Sequence, residues 1–125
     1  MSKMIFVFGS NLAGRHGLGA AKYAREHYGA IYGVGEGPIG QSYAIPTKDE
    51  NLNVRPLSCI EDSIVRFLSY AAQSSDVFKV TPIGCGLAGY KIPEIRAIFL
   101  RHTISDNVVF SKEWFQHYKE TGVFK

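Results

Sequence analysis

The sequence is poor in several of the residue patterns that mark common sites and scaffolds. Its two cysteines, Cys59 and Cys85, form no C-x-x-C pair and share no Cys/His ligand spacing, which excludes a disulfide framework and gives no basis for a metal site. Both are expected to stay reduced, and no cofactor is called for. No apolar run approaches the length of a bilayer span, so no membrane partner is expected. Basic residues are scattered and the net charge of +3 is small, so nucleic-acid binding has no positive support. Met1-Ser2-Lys3 leads straight into an apolar run with no leader ahead of it, and a cytoplasmic protein is expected.

The chain has 125 residues, 46% of them hydrophobic and 20% charged, as befits one soluble domain with a proper core. Glycine is where it is rich, and the glycines cluster. The first cluster follows the β-branched and aromatic run Met4-Ile5-Phe6-Val7-Phe8 and reads Gly9-Ser10-Asn11-Leu12-Ala13-Gly14-Arg15-His16-Gly17-Leu18-Gly19. A helix with Ala20, Ala21, Tyr23 and Ala24 comes next. Strand, glycine loop and helix in that order leave backbone N–H groups free at a helix N-terminus, where the default ligand is an anion. Arg15 adds a charged donor. Glycine-rich turns also arise where a chain must bend sharply, and neither the dinucleotide fingerprint nor the P-loop pattern is met here.

The first helix is expected over Gly19–His27, closing at Gly29. The second glycine cluster spans 29–40 and reads as a loop on the same edge as the first. Ser42-Tyr43-Ala44-Ile45-Pro46 reads as a buried strand that ends in the polar run Thr47-Lys48-Asp49-Glu50-Asn51. Ser58-Cys59-Ile60-Glu61 matches a capping box, and Ile60, Ile64, Phe67, Leu68 and Ala71 then recur at helical spacing up to Gln73-Ser74-Ser75-Asp76. A strand over 77–83 delivers the third glycine cluster, Gly84-Cys85-Gly86-Leu87-Ala88-Gly89-Tyr90. Pro93 sits in the first turn of a third helix with Ile95, Ile98 and Phe99. The last strand is expected over 107–110, and Ser111 as the N-cap of a terminal helix whose Trp114, Phe115 and Tyr118 belong to the core. His27, His102 and His117 are expected on helix surfaces.

Alternating strands and helices imply parallel crossovers and a three-layer α/β/α domain with a mostly parallel or mixed sheet. Ligands of such sheets bind beyond the carboxyl ends of the strands. The loops after Phe8, Pro46 and Ile83 would share that rim, and two backbone cradles on one rim suit a diphosphate.

Thr81-Pro82-Ile83-Gly84-Cys85-Gly86-Leu87-Ala88-Gly89-Tyr90 resembles the second phosphate loop of macro domains, which bind ADP-ribose. Within that superfamily it is most similar to the terminal ADP-ribose glycohydrolases, with their Ile-Gly-Cys-Gly-Leu-Asp run, and Arg15-His16-Gly17-Leu18-Gly19-Ala20 resembles their Arg-x-Gly-x-Gly-x segment. Short macro-like proteins of tailed phages are similar too. The resemblance covers most of residues 4–110 and implies a single domain that binds ADP-ribose or an ADP-ribosylated protein. It implies that Ser10 or Asn11 lies beside the distal ribose. It also implies that Arg15, His16, Gly17, Leu18 and Gly19 contact phosphate and ribose, and that Gly84, Cys85, Gly86, Leu87, Ala88, Gly89 and Tyr90 wrap the diphosphate. Lys48 falls where these glycohydrolases carry a nucleophilic lysine, and Asp49 or Glu50 would supply the carboxylate, because the family's catalytic aspartate is replaced by Ala88. Two functions follow as expectations. One is hydrolysis at the distal ribose, of a carboxylate linkage or a 1″-phosphate; the other is a non-catalytic ADP-ribose module. A different nucleotide-binding α/β protein with convergent glycine loops is the third.

Overall fold

A computed structural model of the chain describes residues 2–115. The chain folds as β1 (Met4–Asn11), α1 (Gly19–His27), β2 (Gly37–Ile39), β3 (Ser42–Lys48), α2 (Leu57–Ala72), β4 (Val77–Val80), α3 (Ile92–Leu100) and β5 (Val108–Phe110), followed by a 3₁₀ turn over Lys112–Phe115. The five strands form one mixed sheet in the order β2-β3-β1-β4-β5. All neighbours run parallel except the edge strand β2, which is antiparallel to β3. The protein is therefore of the mixed α/β class.

β1 lies in the middle of this sheet, and its sequence shows why. Ile5 and Val7 point to one face and Phe6 and Phe8 to the other, and all four are buried, as a central parallel strand covered on both sides requires. Phe6 and Phe8 pack with Ala21 and Ala24 of α1, whose small side chains let that helix sit close to the sheet. Ile5 and Val7 join Ile60, Ile64, Phe67, Leu68 and Ala71 of α2 and Ile95, Ile98 and Phe99 of α3 on the opposite face. The helical spacing of the α2 residues delivers one buried stripe. Trp114 closes this core from the end: it is 2% exposed and its indole N–H donates to the Val80 carbonyl at 2.7 Å. Trp114 is thus a core residue, as expected, whereas Phe115 next to it is exposed and not part of the core; Tyr118 and His117 lie outside the described residues.

Several boundaries differ from the sequence reading. β1 runs on to Asn11 and β3 to Lys48, because each strand supplies the other's ladder. β4 stops at Val80, and 81–83 already turn away. β5 starts at Val108; the Asn107 carbonyl just before it still accepts from the Phe78 N–H at 2.8 Å, while the Asn107 side-chain amide donates to the carbonyls of Ala71, Ser74 and Asp76 and so ties off the end of α2. Part of the second glycine cluster is the edge strand β2. The capping box at Ser58 does not form. α2 begins at Leu57 after Pro56, and the Glu61 carboxylate turns to Arg101 at 2.8 Å and His102 at 2.6 Å beyond the end of α3. These two contacts, Arg101 foremost, hold Glu61 down to a pKa of about 2. Ser111 precedes a 3₁₀ turn over Lys112–Phe115, where the described residues end. No helix among the described residues is long and apolar enough to cross a membrane.

Phe67 has no solvent exposure and packs edge-on against both Tyr43 and Phe78, joining α2 to β3 and β4. Phe67→Ala should lower the unfolding free energy by ~3–5 kcal/mol in a denaturant titration.

Candidate functional site

β1 is the point at which the chain changes direction. The connection leaving β1 climbs to α1 on one face, and the connection leaving the adjacent β4 climbs to α3 on the other. Two neighbouring parallel strands whose crossovers diverge leave a crevice beyond their carboxyl ends. A cleft of about 570 Å³ opens there. Its walls are the end of β1 with the N-terminal turn of α1, the end of β3, and residues 81–88 after β4.

The first wall is built around Asn11. Its side-chain carbonyl accepts from the Arg15 N–H at 2.9 Å and its amide donates to the Arg15 carbonyl at 2.9 Å, so it clasps the loop in both directions. The second glycine cluster braces the same loop from behind. The Gly33 N–H donates to the Gly14 carbonyl at 2.7 Å, and the Ser10 hydroxyl donates to the Gly35 carbonyl. Backbones meet so closely that a Cβ at Gly14, already at φ +70°, would lie 2.3 Å from Gly33, and one at Gly35 would lie 2.3 Å from the Asn11 carbonyl. These glycines serve the fold. Gly17 differs: a Cβ there would touch nothing, yet it lines the cleft.

α1 then starts without a cap. Leu18 at the N-cap offers no hydrogen-bonding side chain, and no acidic residue occupies the first turn. The orphan amides and the positive end of the helix dipole are left facing the cleft, where Gly19, Ala20 and Ala21 line it. α3 contrasts with it, because the Glu94 carboxylate accepts from the Lys91 N–H at 2.9 Å and its N-terminus is satisfied from within.

The wall after β4 sorts its residues cleanly. The N–H groups of Cys85, Gly89 and Tyr90 donate to Pro82, Gly86 and Gly84 carbonyls at 3.2, 3.0 and 2.8 Å and hold the loop in shape. Within the loop 84–90, and among the described residues, those of Gly84, Gly86, Leu87 and Ala88 take no part in these bonds, and these four are the loop's cleft-lining residues, beside Thr81, Pro82 and Ile83 just ahead of it. Gly86, like Gly17, has open space where a Cβ would stand.

β3 brings the remaining wall. Ser10 of β1 pairs with Pro46, but Asn11 pairs with Lys48, so Thr47 is an extra residue in the ladder, a bulge. Thr47 and Lys48 consequently both line the cleft, although they are consecutive. Arg15 and Lys48 are the cations of the described lining, and no carboxylate is among it.

Of the residues singled out from sequence, the cleft gathers Ser10, Asn11, Arg15, Gly17, Leu18, Gly19, Lys48, Gly84, Gly86, Leu87 and Ala88. It leaves out five. The His16 ring is fully buried edge-on against Phe8, and burial holds its pKa below the usual histidine value, so it is a neutral packing residue behind the loop. Asp49 is turned onto its own loop, where one carboxylate oxygen accepts from the N–H groups of Asn51 and Asn53 at 2.8 and 2.9 Å. Glu50 is exposed and also absent from the lining. Cys85 packs against the core with its thiol toward the Ile83 carbonyl, and burial, with Glu94 nearby, pushes its pKa up to about 11. Gly89 lies outside the cleft, and the Tyr90 hydroxyl donates away from it to the Arg55 carbonyl at 2.7 Å. Thr47 belongs to the polar run that the sequence offers as a candidate site edge, whereas Gly9, Ala20, Ala21, Leu52, Thr81, Pro82 and Ile83 line the cleft without having been named as site residues. Gly9 carried a signal, a glycine at the mouth of a strand: a Cβ there would press on the Gly84 amide at 3.3 Å. Leu52 carried none, because its left-handed backbone, φ 65°, is set by the turn Asp49 organises.

Comparison with protein-family models, with curated proteins and with solved structures finds no match to this chain.

A thiol with a pKa of about 11 is almost wholly protonated at neutral pH. Iodoacetamide at pH 8 should therefore alkylate Cys85 roughly a hundredfold more slowly than a free cysteine, read by mass spectrometry of the native protein. Alkylation at the free-thiol rate would mean that Cys85 faces the cleft.

Proposed function

We propose that the cleft binds ADP-ribose or a close derivative, with the diphosphate held between the loop after β1 and the loop after β4. One observation carries this reading: the cleft-lining residues of the second loop are the residues whose backbone N–H groups the loop itself leaves unused. Facing them is an uncapped helix N-terminus, and the only charges on the described lining are positive. Such an arrangement is an anion cradle with two halves. Its volume of about 570 Å³ is that of a site for a nucleotide-sized molecule rather than a lone inorganic ion. Gly17 and Gly86 add support, because the fold has room for a side chain at both and a ligand lying on the backbone does not. Helices on both faces of the sheet agree with a three-layer, macro-like arrangement.

Lys48 favours a second reading, hydrolysis at the distal ribose. Its amine would attack the anomeric carbon and expel the linked carboxylate or phosphate, and water would then cleave the glycosyl-lysine and restore the amine. Arg15 and the loop amides would stabilise the charge that develops on the leaving group. The absence of a carboxylate from the described lining, with Ala88 at the position of the family's aspartate, favours binding without turnover.

Calorimetric titration with ADP-ribose, with ADP and AMP as controls, tests the first reading; tighter binding of ADP-ribose than of either control is expected. Gly86→Glu should abolish binding by setting a side chain and a negative charge into the cradle. Gly86→Ala should leave stability unchanged or raise it by about 0.4–1 kcal/mol. Normal affinity in a folded Gly86→Glu protein would remove the loop from the site. Lys48→Ala should keep most of the affinity and abolish release of ADP-ribose from glutamate-linked conjugates or from its 1″-phosphate. Turnover that survives this substitution would exclude the lysine nucleophile, and no turnover by the unsubstituted protein would leave the binding module.

A further inference from the structure

Lys48 reaches the cleft only because β3 is bulged. Side chains on a strand alternate between faces, so a slip of one residue turns each of them over. In a regular ladder Asn11 would face Thr47; instead it faces Lys48, and Thr47 stands out of register. A bulge takes backbone groups out of the ladder, and here these belong to a buried stretch, Pro46 and Thr47. Carbonyls left unpaired in such a place are costly, and the cheapest relief is for the strand to slip back.

Arg55 supplies what the bulge lacks. Its guanidinium donates to the Pro46 carbonyl at 2.7 Å, and its own backbone N–H donates to the Thr47 carbonyl at 2.9 Å. The guanidinium is steadied by the Ser63 hydroxyl of α2 at 3.0 Å, and the Arg55 carbonyl accepts from the Tyr90 hydroxyl at the exit of the third glycine cluster. On the far side of the bulge the Lys48 carbonyl accepts from the Leu12 N–H at 3.0 Å. Arg55 itself is absent from the cleft lining. We propose that Arg55 is a positioning residue, which locks β3 in its bulged register and so aims Lys48 into the cleft, while Tyr90 ties the same lock to the loop that carries Gly84, Gly86, Leu87 and Ala88. A planar fork is suited to this task, since it meets a carbonyl and a hydroxyl from one rigid group. The proposal rests on the reading of the cleft as an anion site for its consequence, though not for its geometry.

The experiment uses the full chain, labelled with ¹⁵N in the backbone and ¹³C at the lysine ε-carbon, with inorganic pyrophosphate as the probe. Arg55→Met is compared with Arg66→Met, which also loses a bond to Ser63 and breaks the ion pair to Glu36 but does not touch the bulge. Arg55→Met should move the amide signals of Asn11, Thr47 and Lys48 and remove the response of the Lys48 ε-carbon to pyrophosphate, while weakening ADP-ribose binding no more than Lys48→Ala does. Arg66→Met should do none of these. Arg55→Lys keeps the charge and the stem but not the fork, so it should restore only part of the response, and it carries the test if Arg55→Met does not fold. Amide signals and a pyrophosphate response that survive in a folded Arg55→Met protein, even one with a lowered melting temperature, would overturn the proposal and leave Arg55 as scaffold. An unsubstituted protein that responds to neither pyrophosphate nor ADP-ribose would instead overturn the anion reading, and the amide signals would still decide whether Arg55 holds the bulge.

Discussion

Parallel pairing of β1 with β3 on one side and β4 on the other is the constraint on which the rest of the molecule depends. It buries β1 on both faces, and only a run such as Ile5-Phe6-Val7-Phe8, apolar at every position, can satisfy that. The same pairing sends the chain from β1 to one face of the sheet and from β4 to the other. A crevice beyond the two carboxyl ends is then unavoidable, and the glycine clusters occupy its walls.

The electrostatics of the cleft follow from what is spent elsewhere. Glu94 caps α3, Glu61 is held by Arg101 and His102, Glu36 by Arg66, and Asp49 by its own turn. Each of these carboxylates has a structural partner outside the cleft. Arg15 and Lys48 remain as the charged groups on its described lining, together with backbone amides that nothing in the loops engages. The described lining offers positive charge and is built largely from main chain. Glycine is the residue that this economy selects, because a side chain would stand between the amides and the ligand.

Much of the fold was legible because it is written in local periodicity. α1 spans Gly19–His27 and ends at a glycine with φ +75°, as the alanine spacing and Gly29 indicate. The α2 stripe from Ile60 to Ala71 and the first turn of α3 at Pro93 are equally local signals. Reading failed where a distant partner outbids a near one. Ser58 and Glu61 have the spacing of a capping box, but the Glu61 carboxylate is held by Arg101 and His102 at the far end of α3. Likewise Asp49 adjoins Lys48 in sequence, yet the turn it closes consumes its oxygen.

The sequence by itself determined the alternation of strands and helices, the placing of the glycine clusters at strand ends, and hence the end of the sheet where a ligand would lie. These are matters of residue type and short-range spacing, which each segment carries alone. Only the tertiary structure decided which members of a cluster face the cleft. His16 and Cys85 are flanked by glycines and cleft residues, and both turn into the core, because the neighbouring strand offers Phe8 to one and the packed interior to the other. Lys48 is on the cleft side through a one-residue shift between β1 and β3, fixed by the side chain of Arg55. Register and side-chain direction are set by the pairing of segments far apart in the chain, and no stretch of sequence contains both partners.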